Sequence, residues 1–172
     1  DSHVFQFDFL NDPFNLDKPK ESKLPESLIE ILKDEEKRKK PVIYINPPYA
    51  EAGNRKQRMG TGKNKSSVSF GNYVYNTYKK QLGLACREVF AQFFIRIHNE
   101  IPTCVLAEFS KLKTLQAPNF RDFRKTFRAK LGRNFIVPAK TFDNVKGQFP
   151  IGFFIWHLNE EEEFLQCKTD VY

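Results

Sequence analysis

The chain has 172 residues, 40% of them hydrophobic, and carries 28 Lys and Arg against 21 Asp and Glu, a net charge of +7. This is one domain's worth of chain with enough apolar content for a core, and its longest apolar stretch is only about a strand long, which argues against a membrane span. No signal-peptide pattern is visible, and Cys86, Cys104 and Cys167 are widely spaced with no Cys-x-x-Cys pairing; reduced thiols, a cytoplasmic location and no metal site are expected.

In chain order, Val4-Phe5-Gln6-Phe7 alternates like a strand and ends at Asp8-Phe9-Leu10. Pro25 at a first helical position opens a predicted helix over 25–39, with Leu28, Ile29 and Leu32 on one face. Its end, Lys37-Arg38-Lys39-Lys40, places cations at the helix's negative pole. The β-rich run 41–45 reads as a buried strand, and Pro47-Pro48 must end it because neither residue can donate to a ladder. Residues 52–69 have no hydrophobic period and are expected to form a mobile basic loop carrying Arg55, Lys56, Arg58, Lys63 and Lys65. Tyr73, Tyr75 and Tyr78 follow and are read first as packing residues.

The apolar spacing predicts a helix over 82–101, stopped by Pro102, then a buried strand over 103–109 that contains Glu108. Pro118 opens another predicted helix with Phe120, Phe123, Phe127 and Leu131 as its inner stripe. Strands over 135–138 and 149–158 close the chain. The pattern β-α-β-α-β-α-β-β argues for an α/β sheet with a late hairpin, in a single domain over 1–172.

Charge is unevenly spread. Residues 52–87 hold eight Lys or Arg and no acid, and residues 111–146 hold ten against two acids, while the rest is net acidic. Two such segments suit a phosphate backbone, with binding that weakens as salt rises. Two solvated surfaces are the plainer alternative.

The chemistry concentrates at Asn46-Pro47-Pro48-Tyr49. In open α/β sheets ligands bind beyond the carboxyl ends of strands, where this rigid turn lies. An exocyclic amine on a planar ring is a poor nucleophile because its lone pair is delocalised. Two acceptors aimed at its hydrogens favour the pyramidal form, and the Asn46 side-chain oxygen and the Pro47 carbonyl are suited to that work, with Tyr49 to stack on the ring. This tetrapeptide resembles motif IV of the S-adenosylmethionine-dependent amino-methyltransferases. Asp8-Phe9 resembles the family's motif III, and Phe149, just ahead of a late strand, resembles its motif VIII. The three occur in the family's order, and the resemblance is to the gamma-type N6-adenine DNA methyltransferases of restriction-modification systems.

That resemblance implies a Rossmann-like class I methyltransferase sheet with strand order 3-2-1-4-5-7-6 and an antiparallel seventh strand. Asp8 and Phe9 would touch the adenine of S-adenosylmethionine, Asn46, Pro47, Pro48 and Tyr49 would form the catalytic turn, and Tyr49 and Phe149 would hold an extruded adenine. Arg55, Lys56, Arg58, Lys63 and Lys65 would meet the DNA backbone. No Gly-x-Gly donor loop precedes Asp8, and Gly60-Thr61-Gly62 lies in the basic loop, so the sheet is expected to be incomplete, with equivalents of strand 3 or its end and of strands 4, 5, 6 and 7. The strand at 42–45 would then be an exposed edge prone to self-association, and the isolated chain inactive. A restriction endonuclease or specificity subunit is an expected partner. Methylation of a glutamine amide or an RNA base is the alternative chemistry, and a non-catalytic DNA-binding or assembly module the alternative class.

Overall fold

The computed structural model describes residues 4–48, 68–142, 149–163 and 167–172. Five strands, β1 (Val42–Ile45), β2 (Val105–Lys111), β3 (Ala129–Pro138), β4 (Pro150–Glu161) and β5 (Asp170–Val171), form an open sheet in the order β1-β2-β4-β3-β5. β1 runs parallel to β2, β4 runs antiparallel to both β2 and β3, and β5 runs parallel to β3. With helices α1 (Glu26–Lys33), α2 (Tyr73–Leu82), α3 (Val89–Glu100), α4 (Lys113–Gln116) and α5 (Arg121–Thr126), the fold is mixed α/β. A parallel pair needs a crossover, and α2 and α3 lie between β1 and β2 in the chain to supply it.

The helix-facing side of the sheet is the core. Leu106, Phe154 and Trp156 are buried with Phe90, Phe94, Phe120, Phe123 and Phe127, the Phe127 ring meeting Trp156 edge-on at 5.3 Å. On the opposite side Phe109, Phe135 and Phe153 are half-buried and stack within 4.8–6.3 Å of one another, while Tyr44 beside them is 64% exposed. Among the described strands β1 is at the edge of the sheet, and its Val42 is equally exposed. The exposed edge at 42–45 is therefore observed.

Several elements depart from the sequence expectation for local reasons. Residues 4–7 form no strand: Val4 is 97% exposed, and no described strand lies alongside to complete a ladder. The segment is held instead by Arg96, which is fully buried under the rings of Phe7, Phe9, Phe14 and Tyr73. Its guanidinium donates to the carbonyls of Phe9 (2.6 Å) and Asp12 (2.7 Å) and pairs with Glu100 (3.1 Å). Pro25 is the residue before α1, not its first helical residue, and the helix stops at Lys33. There the Asp34 carboxylate accepts the Glu36 and Lys37 N–H groups and competes with helix continuation.

The expected helix over 82–101 begins only at Val89. Gly83, at φ +54, ends α2, and a Cβ there would run into Asp122, so only glycine suits the turn. Upstream, Asn72 caps α2 by accepting the Tyr75 N–H at 2.7 Å. The Asn72 amide also donates to Gln92, a fully buried residue of α3 whose own amide donates to the carbonyls of Ser69 and Cys86, both at 2.7 Å. Leu131 belongs to β3, not to a helix: the strand starts at Ala129 because β4 is long enough to pair with it, with bulges on either side of Lys130-Leu131.

Candidate functional site

β1 delivers Asn46 and the two prolines to the carboxyl end of the parallel pair. Asn46 is exposed and Pro47 buried, so the turn is anchored by one proline ring while the amide stands at the surface. Tyr49, Arg55, Lys56, Arg58, Lys63 and Lys65 lie outside the described residues, as does most of the loop predicted over 52–69.

Strand register carries Phe149 to the same end of the sheet. Ile45, immediately before Asn46, is level with Glu108 on β2, and Lys111 at the end of β2 is level with Ile151 on β4, two residues after Phe149. Asn46, level with Phe109, and Phe149, level with residue 113, thus lie toward the same sheet end with only β2 between their strands, about 10 Å apart across the sheet and about 13 Å apart along it at the usual spacings. Phe149 is half-buried and fixed through its carbonyl, which accepts the Ala139 N–H at 2.9 Å. A cavity of about 390 Å³ opens against it, lined by Pro138, Lys140, Pro150 and Tyr172 among others.

A lysine that the sequence reading passed over completes this corner. Lys111 lies on β2 between the two predicted elements, and its ammonium is 5.8 Å from the centre of the Phe149 ring. In the sequence it is 38 residues from Phe149, and only the pairing of β2 with β4 brings them together.

Asp8 and Phe9 occupy a separate neighbourhood, on the turn that Arg96 holds. The Asp8 carboxylate accepts the Leu10 N–H (3.0 Å) and the Asn11 amide (2.9 Å), and the Phe9 ring stacks on Phe93 at 4.8 Å. Phe7 and Phe9 also line an apolar cavity of about 310 Å³ with Phe5, Phe14, Pro41 and Ile43. Such a slot suits the flat adenine end of S-adenosylmethionine, and two accepted bonds leave lone pairs on the Asp8 carboxylate for an amine. Among the described residues lining the cavity there is no acid to hold ribose hydroxyls, so these residues do not suit the remainder of that molecule.

Glu108 is on the helix-facing side of β2 and is fully buried. Its Oε1 accepts from the Trp156 indole (3.1 Å) and Ser110 (3.4 Å), and burial pushes its carboxyl up to about 8. It is a neutral acid at pH 7, enclosed by the core and not presented to the sheet end. Among the described residues no group of three or more His, Cys, Asp or Glu is placed to hold a metal ion, and no helix is long and apolar enough to cross a membrane.

Fold and site together define a mixed α/β protein whose amide-bearing proline turn and aromatic–cation corner share one end of an open sheet. No family model matches the sequence, and no curated protein matches it.

Proposed function

We propose that the chain supplies the amine-accepting half of a gamma-type N6-adenine DNA methyltransferase, using S-adenosylmethionine as methyl donor. The observation that carries this reading is the placement of Asn46-Pro47-Pro48 and Phe149 at one sheet end, in a sheet whose four strands β1-β2-β4-β3 have the order and directions of strands 4-5-7-6 in the class I methyltransferase sheet. The basic segment over 111–146, which contributes Lys111 and Lys140 near Phe149, favours a nucleic acid over a protein amide.

In this reading the target adenine leaves the duplex, because its amine is otherwise paired and out of reach. Phe149 takes one face of the base and Tyr49 the other. The Asn46 side-chain oxygen and the Pro47 carbonyl accept the two amine hydrogens and draw the nitrogen toward a tetrahedral, nucleophilic form. Phe9 and Asp8 would receive the adenine end of the donor, the ring of Phe9 by stacking and the carboxylate of Asp8 by accepting from its amine. S-adenosylmethionine, when bound, supplies the electrophilic methyl group. No strong base is needed before attack, since the alkylated amine loses its proton readily, and a buried neutral Glu108 is consistent with that.

The test is transfer of labelled methyl from S-adenosylmethionine to unmethylated genomic DNA, by this chain and by the reading frame extended upstream of Asp1. Label in adenine from the extended protein only, lost in its Asn46→Ala variant with donor binding retained, is the expected outcome. Transfer near the wild-type rate in that variant would refute the role of the turn. Label in RNA or protein but not DNA would move the assignment to another amine, and absence of donor binding by both proteins would leave a non-catalytic module.

A further inference from the structure

The geometry points to Lys111, against the Phe149 ring, and Lys140, on the wall of the adjoining cavity, as a pair of phosphate-binding residues that hold the backbone of the single nucleotide stacked on that ring. The inference rests on the nucleic-acid reading above and deepens it. Lys111 approaches the ring from β2, with its ammonium 5.8 Å from the ring centre. Lys140 follows Ala139, whose N–H is bonded to the Phe149 carbonyl at 2.9 Å, and it lines the cavity of about 390 Å³ that opens against Phe149. The ring thus has one cation against it and a second on the wall of the cavity that opens beside it. Neither lysine forms an ion pair with a described residue, in contrast to Lys113, which is tied to Glu88, and Lys130, tied to Glu160.

The arrangement has the composition that single-stranded nucleic acid requires: an aromatic face for a base and cations for the phosphates on each side of it. An extruded nucleotide is locally single-stranded and presents the same groups. Two cations near a fixed ring also restrict the nucleotide's approach, because base and both phosphates must be met together. The strand ends give the site its rigidity: Lys111 is the last residue of β2 and Phe149 directly precedes β4.

The experiment is anisotropy of a fluorescein-labelled, mixed-sequence single-stranded DNA 12-mer titrated with the full chain at several sodium chloride concentrations. Each phosphate contact contributes about 0.7 to the slope of log K against log salt for single strands. Lys111→Ala and Lys140→Ala should each lower the slope by about 0.7, and the double variant by about 1.4. Phe149→Ala should weaken binding about ten-fold with the slope unchanged, since base stacking involves no released counterion. Lys20→Ala, beside α1, should change neither. Far-UV circular dichroism checks the fold, and Lys111→Met, which keeps the aliphatic stem against the ring, carries the test if Lys111→Ala misfolds. A wild-type slope in the double variant, with the wild-type chain binding, overturns this site and leaves the nucleic-acid reading standing. No binding by the wild-type chain at low salt overturns both.

Discussion

Glu108→Gln should convert the protein's stability from strongly to weakly pH-dependent between pH 5.5 and 8.5. Burial raises the Glu108 carboxyl from its ordinary 4.5 to about 8, so across this interval the folded state binds a proton that the unfolded state has lost. Stability from this group is therefore fully present below pH 4.5 and is lost as pH rises through about 8. One pKa unit corresponds to about 1.4 kcal/mol, and integrating between the two pH values gives a loss of roughly 3 kcal/mol in the wild type. Glutamine has the shape of the neutral acid and keeps an acceptor for the Trp156 indole, so it should match wild type to within about 1 kcal/mol at pH 5.5 and exceed it by about 3 kcal/mol at pH 8.5. Urea denaturation followed by Trp156 fluorescence measures this directly, since Trp156 is the single tryptophan and contacts the substituted side chain. The difference corresponds to a shift in midpoint of roughly 1–2 M urea. Parallel pH profiles for the two proteins would show that Glu108 does not titrate differently on folding, and the account of it as a buried neutral acid would fall.

Two further outcomes follow from the fold. Gln92→Leu leaves the carbonyls of Ser69 and Cys86 and the Asn72 amide short of partners in the interior, and should cost about 2–4 kcal/mol, a fall of roughly 5–15 °C in a thermal melt; an unchanged melt would mean that this polar network is not holding α2 to α3. The exposed edge of β1 should drive self-association, so sedimentation should show dimers or larger species that Val42→Lys and Tyr44→Lys together shift toward monomer, whereas a stable wild-type monomer at high concentration would sink that expectation.

What the sequence disclosed was mostly local. The run before Asn46 and the double proline force a strand and its end wherever the chain is placed, and β1 occupies 42–45. The late hairpin was legible because both its strands are long and β-rich, although β3 begins at Ala129, where pairing with β4 captures residues whose spacing suggests a helix. Residues 4–7 alternate like a strand but lack a neighbour, and alternation without a ladder is not enough. β5, two residues long, has no pattern to read. At the candidate site, Asn46 and Phe149 stood out from their flanks, but the convergence of Lys111 and Phe149 depends on register across a sheet. Nothing in a local window encodes that register.

Arg96 makes the irregular amino-terminal segment inseparable from the helical core. Its charge is fully buried, and three of its partners, the carbonyls of Phe9 and Asp12 and the ring of Phe14, belong to a stretch with no regular secondary structure. By appearance this stretch is the natural place to trim the chain. Trimming past Phe14 would leave a guanidinium inside α3 with Glu100 as its main remaining partner and a hole where the rings had been, a heavier penalty than losing the segment's own contacts. The same geometry means that the bonded amides of Asp8, Leu10, Asn11 and Asp12 should exchange with solvent slowly and that a protease should find no early cut between Asp8 and Phe14: the rigidity there is set by a residue more than eighty positions away.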